Sequence, residues 1–414
     1  MSGSGRVVVT GMGVVSPLGN TVETFWANLL AGRSGIGPTT RFDASALRCR
    51  IAGEVRDFDI SAYLPEKEAR RFDRFCHFAL GAAHEAVRQA GLSAVTANPE
   101  RVGVVVSSGV GGLESMQESV RTLLERGPNR LSPLTVPIMI ADMASGMLSI
   151  QFGFSGPNLA VVTACASATH SIGEAAWMIR RGDADAMLAG GSEAGLVAVG
   201  LGGFASMKAL STRNDDPQHA SRPFDRERDG FVPAEGAGVL VLESLEHARL
   251  RGAEILAELV GYGLSADAYH ITAPDPEGKG AARSVRNALA QAGVSPEQVG
   301  YINAHGTSTQ LNDRMETLAF KTALGPAAYR IPISSTKSMT GHALGAAGGL
   351  ESVACIQALR YGVVPGTMNY EVPDPDCDLD YVPNACREVP VKLALKVNFG
   401  FGGHNAALLF KKVS

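Results

Sequence analysis

The fold is indicated by a segment that occurs twice in the chain. Residues 98–109 read NPERVGVVVSSG, and residues 295–306 read SPEQVGYINAHG. A helical segment precedes each copy, EAVRQAGLS at 85–93 and NALAQAGVS at 287–295, and these two segments lie 202 residues apart (287 − 85). Each copy has the pattern of a helix, a loop, a buried strand and a glycine-rich loop. Two copies in 414 residues indicate a duplicated unit rather than a solenoid of many repeats.

Strand-like runs alternate with helical segments along the rest of the chain. The runs are RVVVTGMGVV, VGVVVSS, ADAMLAGG, GVLVLES, AELVGYG and LALKVNF. This alternation predicts an α/β fold with mostly parallel sheets and two similar halves packed together. We assign the halves to residues 1–252 and 253–414 and expect an active site on the face between them.

The composition argues against several classes of protein. Hydrophobic residues make up 45% of the chain and charged residues 19%, and the net charge of −4 gives no support for nucleic-acid binding. No apolar run approaches the length of a membrane span. The opening MSGSG carries no targeting segment, which favours the cytoplasm, with a processed plastid or mitochondrial form as the alternative. The six cysteines form no C-x-x-C pair, so we expect neither a zinc site nor a disulfide framework.

Cys165 stands in the stretch NLAVVTACASATHSIG, residues 158–173. Residues 158–164 predict a short buried strand, and apolar side chains with helical spacing predict a helix from Ala166 up to Gly182. A helix N terminus lowers the pKa of a thiol, so a nucleophilic cysteine gains from this position. A cysteine that only fills space in the core is the alternative.

Two of the nine histidines stand in sequences that suit catalysis. His305 ends a buried strand in VGYINAHGTST, and His342 stands at the start of a small-residue helix in SSTKSMTGHALGAAGG. Under the duplication, the helices that begin at Cys165 and His342 are mates, 177 residues apart (342 − 165), and their N termini are expected to face each other. A neutral imidazole in such a position can polarise a carbonyl group through its N–H.

Four motifs together resemble those of the β-ketoacyl-[acyl carrier protein] synthases, the elongating condensing enzymes of fatty acid synthesis. They are TACAS around Cys165, NAHGTST around His305, STKSMTGH with Lys337 and His342, and FGFGGHN at 399–405. The resemblance covers nearly the whole chain and is closest to the synthases of the dissociated bacterial and plastid system. It implies a thiolase-like α/β fold, with duplicated βαβ halves, mixed five-stranded sheets in α-β-α-β-α layers, and a homodimer.

The resemblance also implies the chemistry of the site. Cys165 would take an acyl chain from its carrier as a thioester, with the backbone N–H groups of Cys165 and Phe401 as the oxyanion hole. His305 and His342 would bind the malonyl thioester and stabilise the enolate that decarboxylation leaves. The enolate would attack the acyl group, a decarboxylative Claisen condensation that lengthens the chain by two carbons. Lys337 would pair with Glu351 and order the histidines.

Further residues would handle the carrier and the acyl chain. The substrates would be attached to the 4′-phosphopantetheine arm of acyl carrier protein, and Thr307, Thr309 and Thr272 would bind that arm. Phe401 would gate the acyl pocket, and Val110 would line it. Basic side chains would dock the acidic carrier, although a solvated helix face is the alternative reading of them: Lys67, Arg70, Arg71, Lys208 and Arg213.

Rival enzymes of the same fold differ at identifiable positions. A thiolase would need a second cysteine where this chain has GFGGHN, a chain-initiating synthase would have asparagine in place of His342, and a chain-length factor would lack Cys165. A ketosynthase of a type II polyketide or specialised lipid pathway has the same catalytic residues and remains the alternative. No cofactor or catalytic metal is expected in either case.

One departure from the family concerns a bound ion. Many relatives hold a monovalent cation near the residue matching Glu351, and they usually carry Ser-Asn-Ser where this chain has Lys396-Val397-Asn398. On the strand LALKVNF, Lys396 lies on the face opposite Val397. If that face is buried, the Lys396 ammonium needs a partner, and Glu351 is the expected one. Lys396 would then replace the cation; the alternative is a side chain that reaches solvent.

Overall fold

The computed structural model describes residues 5–93 and 97–413. Apart from Gly5, the opening segment on which the targeting prediction depends lies outside these residues. The described residues form thirteen strands: β1 Val7–Val15, β2 Ile36–Pro38, β3 Ile51–Gly53, β4 Val102–Ser107, β5 Ala186–Glu193, β6 Gly236–Ser244, β7 Ala257–Ala266, β8 Tyr301–Asn303, β9 Ile333–Ser334, β10 Val363–Val364, β11 Arg387–Glu388, β12 Leu393–Gly400 and β13 His404–Lys411. The six strand-like runs predicted from the sequence are thus all strands.

Helices separate most of these strands. The α-helices are α1 Val22–Leu30, α2 Glu66–Ala69, α3 Arg74–Ala90, α4 Leu113–Arg126, α5 Thr135–Met139, α6 Met143–Phe152, α7 Ser167–Arg181, α8 Ala198–Ser206, α9 Leu245–Leu250, α10 Lys279–Ala292, α11 Gln310–Leu324, α12 Lys337–Thr340 and α13 Ala347–Tyr361. In the described ranges, no helix is both long and apolar enough to cross a membrane.

A single mixed sheet connects the two copies of the repeat. Its nine strands run in the order β4-β5-β6-β1-β7-β13-β12-β8-β9. The pairs β4–β5, β8–β9 and β8–β12 are parallel, and the other five pairs in this sheet are antiparallel. The prediction of mostly parallel sheets was therefore wrong. Strands β6 and β13 each lie antiparallel beside the strand that precedes them in the sequence, and β1 pairs antiparallel with β7 where the copies meet.

The duplication predicted from the sequence is visible in the packing. In one copy α3 packs on β1 and β6, and in the other α10 packs on β7 and β13. Helices α7 and α13 pack against each other and against strands of both copies, and almost every residue of α13 is buried. A helix with apolar or small side chains on all its faces is typical of an interior layer. Helices α7 and α13 form such a layer, and the site lies at their N-terminal ends.

Residues 158–164 do not form the predicted strand. They make only an isolated bridge between Asn158 and Val104 of β4, and Val162 is 50% exposed. The segment lies beyond β4, at the edge of the sheet, where no other described strand is available to pair with it. An apolar run alone does not make a strand when its backbone finds a partner on one side only.

Candidate active site

Cys165 lies in a tight turn at the start of α7. Residues Ala164–Ala166 form one 3₁₀ turn, and Ala164 has a φ of +51°, which an L-residue adopts only at some cost. The second copy has the same turn at Leu344–Ala346 before α13, with a φ of +47° at Leu344. The two turns pack against each other. They correspond with an offset of 180 residues (344 − 164), so the two helices predicted to be mates do correspond, but the residue that matches Cys165 is Gly345 and not His342.

His342 precedes this second turn and reaches across to the thiol. Its Nε2 lies 3.0 Å from Cys165 Sγ, and its backbone N–H donates to Val232 at 2.7 Å. The backbone N–H of Leu344 donates to His342 Nδ1 at 3.3 Å. Because Nδ1 accepts this hydrogen bond, a neutral ring carries its hydrogen on Nε2, which faces the thiol.

His305 is fixed on the other side of the thiol by its backbone. Glu316 accepts hydrogen bonds from the N–H groups of His305 and Gly306 at 2.6 and 2.7 Å, and Lys337 Nζ donates to the His305 carbonyl at 2.6 Å. The rings of His305 and His342 lie nearly perpendicular, with centroids 5.3 Å apart. One nitrogen or sulfur atom each from Cys165, His305 and His342 lies within 4.8 Å of the other two. The residues predicted to act together are thus together.

Burial controls the protonation of this group. It raises the pKa of the Cys165 thiol to about 12, although the Lys337 ammonium opposes that rise. The expectation that a helix N terminus lowers this pKa was wrong, because desolvation of the thiolate outweighs the helix. Burial, together with the charge on Lys337, also holds the pKa of His305 and of His342 well below its ordinary value. Both imidazoles are therefore neutral at pH 7.

A buried group of three charges supports the histidines from below. Glu351 contacts both the Lys337 ammonium and the Lys396 ammonium, the latter at 2.8 Å. Burial raises the pKa of Glu351, but the two ammonium groups outweigh it and hold the value below its ordinary range. Lys396 is fully buried, so the alternative of a side chain reaching solvent was wrong. Burial lowers the pKa of Lys396 to about 8, against the attraction of Glu351.

Other polar residues of the site were missed in the sequence. Asn398 donates to Glu351 and to His305, and Thr169 contacts both Asn398 and Lys396. A buried Glu193 accepts hydrogen bonds from the backbone N–H groups of Gly109, after β4, and of Gly345, in the turn before α13, and so joins these two segments. Asn398 could have been predicted from the sequence, because it stands two residues from Lys396 and therefore on the same face of β12.

A cavity of about 330 Å³ leads from the surface to the three catalytic candidates. Thr272, Thr307, Thr309 and Phe401 contribute to its wall, and the hydroxyls of Thr307 and Thr309 lie 3.0 Å apart. Lys208 stands in the same wall, exposed to solvent. Of the remaining predicted docking residues, three are exposed at α2 and just after it, and the fourth is half-buried: Lys67, Arg70, Arg71 and Arg213.

Val110 does not contribute to this cavity. It is 44% exposed in the turn that precedes α4. Its Cγ2 lies 3.7 Å from where a Cβ on Gly195 would stand. The predicted contact of Val110 with an acyl chain therefore stays a prediction.

Two models of a known protein family match this chain. The family model described as "Beta-ketoacyl synthase, N-terminal domain" matches residues 4–248, and the model described as "Beta-ketoacyl synthase, C-terminal domain" matches residues 256–371. The chain belongs to the β-ketoacyl synthase family. The family predicted from the four motifs is confirmed, and this β-ketoacyl synthase is an acyltransferase of the condensing type that acts in fatty acid synthesis.

Curated relatives match this β-ketoacyl synthase along their whole length. The 3-oxoacyl-[acyl-carrier-protein] synthase 2 of Synechocystis is 54% identical over 407 residues, covering 98% of either chain. Those of Coxiella burnetii and Staphylococcus aureus are 51% and 50% identical and cover 99% or more of each chain.

Solved structures agree in fold. A β-ketoacyl synthase from Burkholderia phymatum has a TM-score of 0.93 at 36% identity, covering 99% of this chain and 100% of that one. A chain from a complex of a type II polyketide acyl-carrier protein with its ketosynthase has a TM-score of 0.91 at 39% identity, with the same coverage. The α/β fold of the ketosynthases with its mixed sheet is thus the fold of this protein.

Proposed function

We propose that this β-ketoacyl synthase elongates an acyl chain by two carbons, using malonyl-[acyl carrier protein] as the donor. The observation that carries the proposal is the group of Cys165, His342 and His305 at the end of one open cavity, with Cys165 Sγ 3.0 Å from His342 Nε2. The names of the curated relatives, 3-oxoacyl-[acyl-carrier-protein] synthase 2, support the same reaction.

The first step is transfer of the acyl chain to Cys165. Its Sγ attacks the carbonyl carbon of the carrier thioester, a new S–C bond forms, and the bond to the pantetheine sulfur breaks. The proton of the Cys165 thiol passes to the departing pantetheine thiolate. Since burial raises the pKa of Cys165 to about 12, the resting group stays a thiol until this exchange. The backbone N–H groups of Cys165 and Phe401 bind the oxyanion.

The second step is decarboxylation of the malonyl group. The C–C bond to the carboxylate breaks, CO₂ leaves, and the electron pair remains on the thioester as an enolate. His305 and His342 donate from Nε2 to the enolate oxygen, since both rings are neutral and His342 accepts at Nδ1. Loss of CO₂ makes a base for carbon deprotonation unnecessary.

The third step forms the new carbon–carbon bond. The enolate carbon attacks the acyl carbonyl on Cys165, the C–S bond breaks, and the thiolate of Cys165 takes one proton from water. Lys337 and Glu351 act as positioning residues, because Lys337 joins the His305 carbonyl to the Glu351 carboxylate.

Acyl carrier protein is the proposed partner. A solved ketosynthase structure similar to this chain contains a carrier protein, and the cavity here opens to the surface above a buried Cys165, which a flexible substrate arm would reach. Thr307, Thr309 and Thr272 would hydrogen-bond the 4′-phosphopantetheine arm along the cavity wall. Four exposed cations and the half-buried Arg213 would steer the acidic carrier to the mouth of the cavity in a salt-dependent manner; the four are Lys67, Arg70, Arg71 and Lys208.

A homodimer is proposed as the working form. Apolar side chains in the segment before Cys165 and on α4 are exposed in the single chain, among them Val162, Val120 and Leu123. A patch of this kind is usually covered by a partner. Val110 is also exposed, in the turn that precedes α4, and a second copy packed there would complete an acyl pocket that Val110 lines.

The halves of the fold are proposed to divide at residues 252 and 253, with five strand positions each. The second half has β7, β13, β12, β8 and β9. In the first half β1, β6, β5 and β4 correspond to the first four, and the Asn158 bridge beside Val104 takes the place of β9.

No cofactor is proposed, and a bound monovalent cation does not fit this chain. Lys396 places its ammonium 2.8 Å from Glu351 Oε2 and 2.9 Å from the Thr169 hydroxyl, where a cation would need those oxygens. We therefore expect full activity in buffer free of sodium and potassium at matched ionic strength. Strong activation on adding back K⁺ would contradict the replacement. The cytoplasm is the proposed location, without nucleic-acid or membrane partners; a processed plastid or mitochondrial form is the alternative.

Variants that separate the role of Cys165 from the roles of His305 and His342 test the proposed reaction. Cys165→Ala should abolish condensation, whereas Cys165→Gln, which resembles the acylated residue in shape and polarity, should still release CO₂ from malonyl-carrier. His305→Ala and His342→Ala should lose decarboxylation and keep part of the self-acylation at Cys165. Decarboxylation at the wild-type rate in either histidine variant would contradict the assignment.

A polyketide or specialised-lipid ketosynthase is the second candidate, favoured by the likeness at 39% identity to a polyketide ketosynthase structure. The two functions differ in the number of condensations before release. With acyl-carrier and malonyl-carrier alone, we expect one extension by two carbons. Products that have been extended repeatedly without reduction would favour the second candidate.

A further inference from the structure

We infer that Lys396 and Asn398 are positioning residues that set the tautomer of His305. The inference rests on the proposed function, because it concerns the histidine that would donate to the enolate. Lys396 and Asn398 stand two residues apart on β12, and both are completely buried. Neither belongs to the four motifs that define the family resemblance.

The orientation of the Asn398 amide is determined by donors on one side. The Lys396 ammonium and the Thr169 hydroxyl both donate to Asn398 Oδ1. An ammonium has no acceptor, so the amide must turn its oxygen and not its NH₂ toward Lys396. The Lys396 ammonium is in turn held by Glu351 at 2.8 Å and by Thr169 at 2.9 Å.

The NH₂ group of Asn398 then faces two acceptors. Its Nδ2 lies 2.9 Å from Glu351 Oε2 and 3.0 Å from His305 Nδ1. One hydrogen goes to the carboxylate and the other to the imidazole nitrogen. Nδ1 of His305 is thereby an acceptor, and the neutral ring must carry its hydrogen on Nε2.

The second histidine has the same tautomer for a different reason. The Leu344 backbone N–H donates to His342 Nδ1, so both rings carry Nε2–H. Two such hydrogens are what an enolate oxygen requires, and neither ring needs to be protonated first. Cys165, His305 and His342 lie close enough together to hold a divalent metal ion. In these tautomers, however, both Nε2 atoms carry hydrogen and have no lone pair free to bind a metal.

Changing the amide to an acid reverses the hydrogen bond. In Asn398→Asp the carboxylate can only accept, so it takes the hydrogen of His305 Nδ1, and a neutral ring then has a bare Nε2. His305 carries Nε2–H in this variant only when it is doubly protonated. The groups that face the ring and act on its protonation are Lys337, His342, Lys396, the backbone of Phe399, which favours the protonated ring, and, through the amide, Glu351.

The test measures CO₂ release from malonyl-carrier by the full-length Cys165→Gln enzyme between about pH 6 and 7.5, where Lys396, with a pKa of about 8, is still mostly protonated. We expect a flat profile for this parent. Addition of Asn398→Asp should reduce the rate about a hundredfold at pH 7.5 and less at pH 6, because the rate now falls as rising pH deprotonates His305.

Asn303→Asp is the matched control. Asn303 is equally buried on β8, where it pairs with Lys396 of β12, but its amide donates to Tyr301 rather than to His305. We expect this variant to keep the parent rate and the flat profile. An unchanged rate in Asn398→Asp, or the same pH-dependent loss in Asn303→Asp, would overturn the inference.

A second measurement does not depend on folding of a variant. Solid-state ¹⁵N NMR of the histidine-labelled wild-type protein reports which ring nitrogen carries hydrogen, and His305→Gln identifies the signal. Hydrogen on Nε2 is the expected result, and hydrogen on Nδ1 would overturn the inference whatever the kinetics show. If the Cys165→Gln parent releases no CO₂, the proposed function fails instead, and the NMR result still decides the tautomer.

Discussion

Glu351→Gln removes a carboxylate that two buried ammonium groups share. Lys337 and Lys396 both contact Glu351, and all three side chains are at most 3% exposed. The variant leaves two buried cations without this counter-ion, and breaking a buried ion pair in this way costs about 3–5 kcal/mol of unfolding free energy. The lysine variants differ, because Lys337 or Lys396 alone still has Glu351 as its partner.

Lys396→Met should therefore cost much less than Glu351→Gln. Folding lowers the pKa of Lys396 from 10.5 to about 8, so keeping this ammonium charged costs about 3 kcal/mol at pH 7. That figure already includes the attraction of Glu351, so the methionine removes this cost and loses only the hydrogen bonds to Thr169 and Asn398, each worth about 1 kcal/mol. The expected net change in stability is within about 1 kcal/mol of zero.

Urea unfolding of the single variants and of the double variant measures these differences. Glu351→Gln with Lys396→Met should be more stable than Glu351→Gln alone, because only one ammonium then lacks its counter-ion. The sign of the pH dependence gives a second check: since the folded state of the wild type holds Lys396 at a lower pKa, its stability should rise from about pH 8 to 10.5 relative to Lys396→Met. A loss in Glu351→Gln no larger than that in Lys396→Met would refute the reasoning.

Three further outcomes are expected. Lys67→Glu combined with Arg71→Glu should raise KM for acyl-carrier far more than for acyl-pantetheine, since both side chains are exposed; equal effects would argue against carrier docking. Val110→Phe should lose long acyl substrates and keep short ones, and an unchanged product profile would remove Val110 from the acyl pocket. Alkylation of Cys165 by iodoacetamide should still accelerate up to about pH 10, because its pKa is about 12; a plateau below pH 9 would contradict the raised pKa.

Local sequence was sufficient where a property depends on neighbours in the chain. The turn into α7 at Cys165, the helix stop at Gly182 and the strands β1, β4, β5, β6, β7 and β12 all follow from periodicity and from residues a few positions apart. The prediction failed at residues 158–164, because a strand also needs a partner strand, and the sheet ends at β4.

The sequence by itself determined the duplication, the family and the identity of the three catalytic candidates, because motifs and repeats are written along the chain. The tertiary structure alone decided their protonation. The pKa of Cys165 depends on desolvation and on Lys337, and the hydrogen on His305 depends on Lys396 and Asn398. Cys165 and Lys337 are 172 residues apart in sequence (337 − 165), and His305 and Asn398 are 93 apart, so each pair meets only through the packing of distant segments. Electrostatic effects act through space, so that packing decides whether a thiol is charged or which nitrogen of an imidazole is a donor.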